Sequence, residues 1–146
     1  VIVIPYWMRE PEAIEYGLFR RADAGYWQPI SGGGEDAETP LEAAQREAFE
    51  EAAIPQTAAF VRLDARDSVP VTEFRNSEQW GEDVYVIPKY SFGVAVQDRT
   101  MTLSSEHVDL FWLRYPEAGE RLRYEGDRTA LWELHQRLLG KGPRGR

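Results

Sequence analysis

Apolar positions along this chain follow two different periods. Residues 1–7 form a β-branched and aromatic run that reads as a strand, and residues 15–21 read as a second, shorter one. Residues 9–12 and 22–25 are turn-like. Tyr26 to Ser31 leads into Gly32, Gly33 and Gly34, a flexible hinge whose backbone can come close to a ligand. There the period changes. Leu41, Ala44, Ala48 and Ala52 fall on one face at about 100° per residue, with Phe49 at its border, which predicts an amphipathic helix. Thr39 is a good N-cap, Pro40 takes the first helical position, and Glu42 completes a capping box. The helix is expected to end near Ala53, because Ile54-Pro55 favours an exit. Strand-like composition returns at residues 59–66, 69–75, 84–96 and 109–115, with Pro88 marking an edge position or a bulge. Residues 128–139 close the fold as an amphipathic helix with Leu131, Leu134, His135 and Leu138 on its packing stripe and Gly140 as C-cap.

Composition narrows the possibilities. The chain has 146 residues, enough for one domain, taken as 1–140, followed by a basic, flexible tail at 141–146. The 42% apolar content supplies a core and argues against disorder. With 25 acidic against 17 basic side chains the net charge is −8, which opposes nucleic-acid polymers and anionic membrane surfaces as partners. Cysteine is absent, so disulfides, thiolate zinc sites and a cysteine nucleophile are excluded, and a cytoplasmic location is expected. No apolar run approaches the roughly 18 residues of a membrane span, and no signal peptide is recognised. The chain begins at Val1, not Met, so residues are expected before it.

The charge is unevenly placed. Between Glu35 and Glu51 there are seven acids, and Arg46 is the single base. Glu47, Glu50 and Glu51 stand at i, i+3 and i+4 and share the face beside the apolar one. Such pairs cost an isolated helix about 0.2–0.5 kcal/mol each, so positive charge from outside is expected. A divalent cation suits this need, since Mg²⁺ takes oxygen ligands from one or two carboxylates plus water and substrate phosphates. The glycine hinge beside a helix N-terminus adds backbone groups for phosphate or metal. Glu35, Asp36 and Glu42 are assigned to solvent or capping.

Gly32, Glu38 and the run Arg46-Glu47-Ala48-Phe49-Glu50-Glu51-Ala52-Ala53-Ile54 stand at fixed spacing within 23 residues. This pattern resembles the Nudix box, the signature of hydrolases of nucleoside diphosphates linked to another group. One position departs, with Ala53 where the family has Gly; Ala is expected to fill it with negative φ. The resemblance implies an α/β fold, a Nudix-type α/β/α sandwich with a mixed β-sheet and the box as a loop-helix-loop. It also implies hydrolysis of a diphosphate bond with Mg²⁺ or Mn²⁺ as cofactor. By position Glu47 and Glu51 are the principal metal ligands, Glu50 is a further ligand or the catalytic base, and Gly32 or its neighbour offers a carbonyl. Arg46 pairs with the box carboxylates, and Glu38 ties the loop to the helix.

Residues 18–21, 26–32, 103–107, 112–113 and 127–132 together resemble the dihydroneopterin triphosphate or dATP pyrophosphohydrolase branch. That resemblance makes Glu106 a fourth ligand or alternative base, Arg20 a phosphate contact and Ser31 a neighbour of the substrate. Trp27 is either a base-stacking or a core aromatic, and Phe74 and Tyr124 are weaker candidates for the pocket. His107 and His135 lack metal-ligand spacing and a partner nucleophile. The implied reaction converts a nucleoside or pterin triphosphate to monophosphate and pyrophosphate. The alternatives are hydrolysis of diadenosine polyphosphates or ADP-ribose, or nucleotide sensing without turnover. A small-molecule partner is expected, and a homodimer is compatible with this reading.

Overall fold

A computed structural model describes residues 1–23, 25–35, 37–105 and 107–144. Strands β1 (Ile2–Met8) and β2 (Ile14–Arg21) pair antiparallel, and two short strands follow, β3 (Trp27–Gln28) and β4 (Ile30–Ser31). Helix α1 (Pro40–Ala52) precedes β5 (Phe60–Pro70), β6 (Val86–Ala95), β7 (His107–Leu113) and two helices, α2 (Tyr115–Arg121) and α3 (Glu125–Leu138). The sheet runs β3-β2-β1-β6-β5, with β4 on β1 and β7 on β2. It is mixed, because β1 and β6 run parallel while the other pairs are antiparallel.

Alternation along the strands makes two cores. Ile2, Ile4, Tyr16, Leu18 and Leu63 face α2 and α3, meeting Ala118, Leu131 and Leu134. Val3, Phe19, Ile30, Phe92 and Val94 face the other way, onto Ala44, Ala48 and Ala52 of α1. The expected α/β/α sandwich is therefore present, with α1 alone on one side.

Several local expectations need correction. Residues 59–66 and 69–75 do not form two strands; β5 is one ladder along β6, with an irregularity between Arg62 and Arg66. Its polar stretch remains paired, Asp67 opposite Lys89 and Ser68 opposite Pro88, so polarity there marks exposure and not a break. Phe74 consequently lies after the strand, beyond the 3₁₀ turn Val71–Glu73. Pro88 does sit at a local edge, because β1 pairs only with the later part of β6, from Ser91 onward. Strand β7 begins earlier than expected and gives way to α2, whose start Pro116 favours. On α1, Leu41 and Phe49 are exposed, and the buried face is Ala43, Ala44, Glu47, Ala48, Glu51 and Ala52. Small alanines let the helix approach the sheet, and that approach carries two glutamates inward.

Helix α3 keeps its predicted stripe, and Gly140 takes a left-handed φ of 71° at its end. His135 stacks on Tyr115 with ring centroids 4.3 Å apart and shares a 2.7 Å hydrogen bond with the Tyr16 hydroxyl. It serves packing.

The exit of α1 differs from expectation in conformation. Ala53 has φ 56° and ψ 29°, the left-handed region, where a Cβ is unfavourable. Its N–H reaches back to the Phe49 carbonyl at 2.9 Å, and the Ile54 N–H to that of Ala48 at 3.2 Å, so the turn ends the helix and buries Ile54. Ala53→Gly is expected to stabilise the fold by about 1 kcal/mol, raising the melting temperature by roughly 3 °C in a calorimetric scan. An unchanged or lower midpoint would show that the unfolded-state freedom of Gly offsets the relief.

Candidate active site

The loop and α1 are joined by local chemistry. The Thr39 hydroxyl oxygen accepts from the Glu42 N–H at 3.2 Å and donates to the Glu42 carboxylate at 3.1 Å, fixing the start of the helix. At the other side of the loop, Gly32 extends the β4–β1 ladder: its N–H donates to the Val1 carbonyl at 3.1 Å, and the Val1 nitrogen donates to its carbonyl at 2.8 Å.

Gly32 and Glu47 are in close contact. A Cβ on Gly32 would lie 2.0 Å from Glu47 Cδ and 2.2 Å from Oε1, so only glycine leaves the space that the carboxylate fills. Glu47 is 9% and Glu51 5% exposed, unusually low for glutamate. One turn apart on the buried face, they bring two carboxylates inward, Glu47 directly under Gly32. Glu50 does not share that interior; its side chain is 54% exposed.

Arg46 connects these parts. Its Nε donates to Glu38 at 2.8 Å, Nη1 to Glu47 at 2.9 Å and to Glu50 at 3.2 Å, and Nη2 to the Gly33 carbonyl at 2.7 Å. Glu38 also accepts from the Glu35 N–H at 2.6 Å, so loop and helix meet in one network. The hydrogen bond from Arg46, followed by that from the Glu35 N–H, lowers the Glu38 pKa; Glu38, in turn, chiefly raises that of Arg46. The guanidinium holds Glu38 ionised and fixes the Glu47 and Glu50 carboxylates in place.

The last turn of α1 meets the loop before β7. The Ser104 N–H donates to the Glu51 carbonyl at 3.0 Å, and the His107 N–H to that of Ser104 at 3.2 Å. His107 is buried, with Nε2 3.9 Å from Glu51 Oε2 and its ring 5.0 Å from that of Phe19. Sequence reasoning set His107 aside because it sought a ligand pair or nucleophile; its position just before an alternating strand was the available signal. Glu106, expected as a fourth ligand or alternative base, lies outside the described residues.

The expected substrate residues are dispersed. Arg20 is directly opposite Asp109 on β7, and its Nε donates to that carboxylate at 2.9 Å. Trp27, opposite Arg20 on β3, packs toward the α3-side core and lies 4.6 Å from the Phe111 ring. By strand alternation Arg20 and Trp27 therefore occupy the face opposite α1. Ser31 immediately precedes Gly32 and is partly buried. Phe74 meets Trp80 edge-on at 5.1 Å, and Tyr124, at the start of α3, meets Tyr26 at 5.8 Å. Asp109 is the partner that sequence reasoning missed.

The donor set fits a hard divalent cation. Glu47 offers carboxylate oxygens in a cradle that a Cβ at position 32 would fill, and Glu51 offers a second buried carboxylate one turn along the same helix face. No group of three or more His, Asp or Glu side chains among the described residues forms a ready-made metal cage. Two carboxylates leave coordination positions for water and phosphate oxygens, as Mg²⁺ prefers.

Residues 9–134 match the model of the NUDIX domain. This chain belongs to the NUDIX domain family. A Listeria monocytogenes structure assigned to the NUDIX hydrolases is 34% identical, superposes with TM-score 0.84, and is matched over 97% of this chain and 96% of that one. Dihydroneopterin triphosphate diphosphatase of Escherichia coli is 28% identical over 78% of this chain and 77% of its own length. A Myxococcus xanthus protein named octanoyltransferase is 33% identical over 84% of this chain, which spans only 32% of that protein. The NUDIX match includes the whole loop-helix-loop, so Gly32, Arg46, Glu47, Glu50 and Glu51 all lie within the recognised domain. Among the described residues no helix is long and apolar enough to cross a membrane.

Proposed function

We propose that this NUDIX domain is a divalent-metal-dependent pyrophosphohydrolase that converts a triphosphate of the dATP or dihydroneopterin triphosphate type to monophosphate and pyrophosphate. The observation that carries this reading is the pair of buried carboxylates one helical turn apart, Glu47 held against Gly32 and Arg46, and Glu51 beside His107. The relationship to E. coli dihydroneopterin triphosphate diphosphatase supports the triphosphate class.

Glu47 and Glu51 would hold Mg²⁺ or Mn²⁺, with Glu50, Glu106 and the Gly32 carbonyl as further donors. When bound, the cation supplies neutralisation of phosphate oxygens and activation of water. Arg46 keeps Glu47 and Glu50 in register. Glu50, half-exposed beside the buried pair, or Glu106 takes a proton from the attacking water. A water oxygen–phosphorus bond forms at the α-phosphorus, the α–β anhydride bond breaks, and pyrophosphate leaves with the electron pair. Arg20 and Ser31, with Trp27, Phe74 and Tyr124 more remotely, remain candidates for substrate contacts. Arg20 would then act in partnership with Asp109.

A second reading has separate support. Structures named Ap4A hydrolase from C. elegans and a Shewanella oneidensis NUDIX domain complexed with ADP ribose share the fold, with TM-scores of 0.67 and 0.66. Chromatography of a panel of triphosphates, diadenosine polyphosphates and ADP-ribose, each with Mg²⁺ and with EDTA, tests both readings. Metal-dependent pyrophosphate release from a triphosphate is expected. Turnover confined to the other compounds would favour the second reading, and no turnover in any reaction would leave nucleotide sensing.

A further inference from the structure

We propose that Arg62 and Arg66, gathered over the Tyr90 ring, bind the phosphates of the substrate that lie beyond the scissile bond. Arg62 stands opposite Phe92 and Arg66 opposite Tyr90 in the β5–β6 ladder. The two guanidinium carbons lie 5.0 and 5.4 Å from the Tyr90 ring centroid, and Arg62 also lies 6.0 Å from that of Phe92. Both arginines are exposed.

Two cations gathered over one ring repel each other, and the ring's electron density compensates only part of that repulsion. Among the described residues neither arginine has a carboxylate in ion-pairing range, although the chain carries 25 acidic side chains. Arg20, Arg46 and Arg137, by contrast, are each paired. The missing negative charge is best supplied by a ligand. A guanidinium over a tyrosine ring with no carboxylate partner keeps N–H donors available for the two-pronged contact that phosphate oxygens favour.

Position connects this pair to the carboxylates. Gly32 is bonded to Val1, Ile2 stands opposite Ser91, and Tyr90, one residue earlier, stands opposite Arg66. These contacts place Gly32, Val1, Tyr90 and Arg66 in one row across four strands. Three strand spacings separate its ends, roughly 14 Å across the sheet. Val1, Tyr90 and Phe92 belong to the core on the α1 side, the side toward which a Cβ at Gly32 would meet Glu47. The arginines thus flank the same face as the carboxylate cradle, separated by a distance that their long side chains and a polyphosphate share.

The assignment rests on the polyphosphate reading of the carboxylates, and its test separates the two. Inorganic tripolyphosphate is titrated calorimetrically into the full chain in EDTA, removing any metal contribution. Wild type is expected to bind, and R62Q/R66Q to bind at least roughly tenfold more weakly with an unchanged melting temperature. In steady-state assays the same variant should raise KM by a similar factor while kcat stays within about twofold. Absent binding to wild type, or equal binding by both proteins, overturns the arginine assignment whatever the enzyme hydrolyses. Arginine-dependent binding without triphosphate turnover supports the anion site and refutes the triphosphate reading instead.

Discussion

Glu51→Gln is expected to reduce metal-dependent turnover by at least ~10²-fold while leaving the fold intact. At 5% exposure Glu51 is buried in the last turn of α1, its carboxylate 3.9 Å from His107 and its carbonyl bonded to the loop before β7. Glutamine keeps its size and one oxygen but loses the charge that a hard cation requires. Removing a group that only orients a metal ligand typically costs 10–100-fold, so replacing a ligand should cost more. The check is steady-state turnover beside circular dichroism and a thermal melt, with Glu42→Gln as a control on the same helix. A near wild-type rate in a folded Glu51→Gln protein would refute its assignment as a metal ligand.

Gly32→Ala should be the second most severe change, through shape alone. The added Cβ would fall 2.0 Å from Glu47 Cδ, so either the β4–β1 ladder or the carboxylate must move. Overpacking of this kind costs about 1–3 kcal/mol, and displacement of a catalytic group by an ångström can cost 10²-fold in rate. Gly33→Ala supplies the control, because nothing lies within 4 Å of a Cβ there. The expected result is a lowered melting temperature and a lowered kcat for the first variant and neither for the second. Equal behaviour of the two would show that the cradle yields without consequence.

These contrasts indicate what was legible from residues alone. The start of α1 was, because Thr39, Pro40 and Glu42 act on one another within a single turn. Part of Arg46's role was also legible through its spacing to Glu47 and Glu50. Its bond to Gly33 depends on how the loop folds back, which no periodicity encodes. The burial of Glu47 and Glu51 was hidden for a related reason: glutamate reads as polar surface, whereas the alanines beside it determine how near the sheet comes. Ala53 was misjudged in φ because residue identity sets the cost of a left-handed turn, while the burial of Ile54 determines whether the turn occurs. Arg20 and Asp109 needed the β2–β7 register, and His107 beside Glu51 needed the packing of β7 against α1, both products of long-range assembly.

Arg46 has a mechanical consequence as well. One planar group grips Gly33 and Glu38 on the loop and Glu47 and Glu50 on the helix, so the two segments behave as a single stiff bracket. A bracket of that kind cannot be reshaped to suit one compound without loosening the carboxylates it aligns. Chemistry and selectivity are thereby divided between different parts of the chain, and changes of substrate should come from the surrounding strands and loops, with the bracket carried along unchanged.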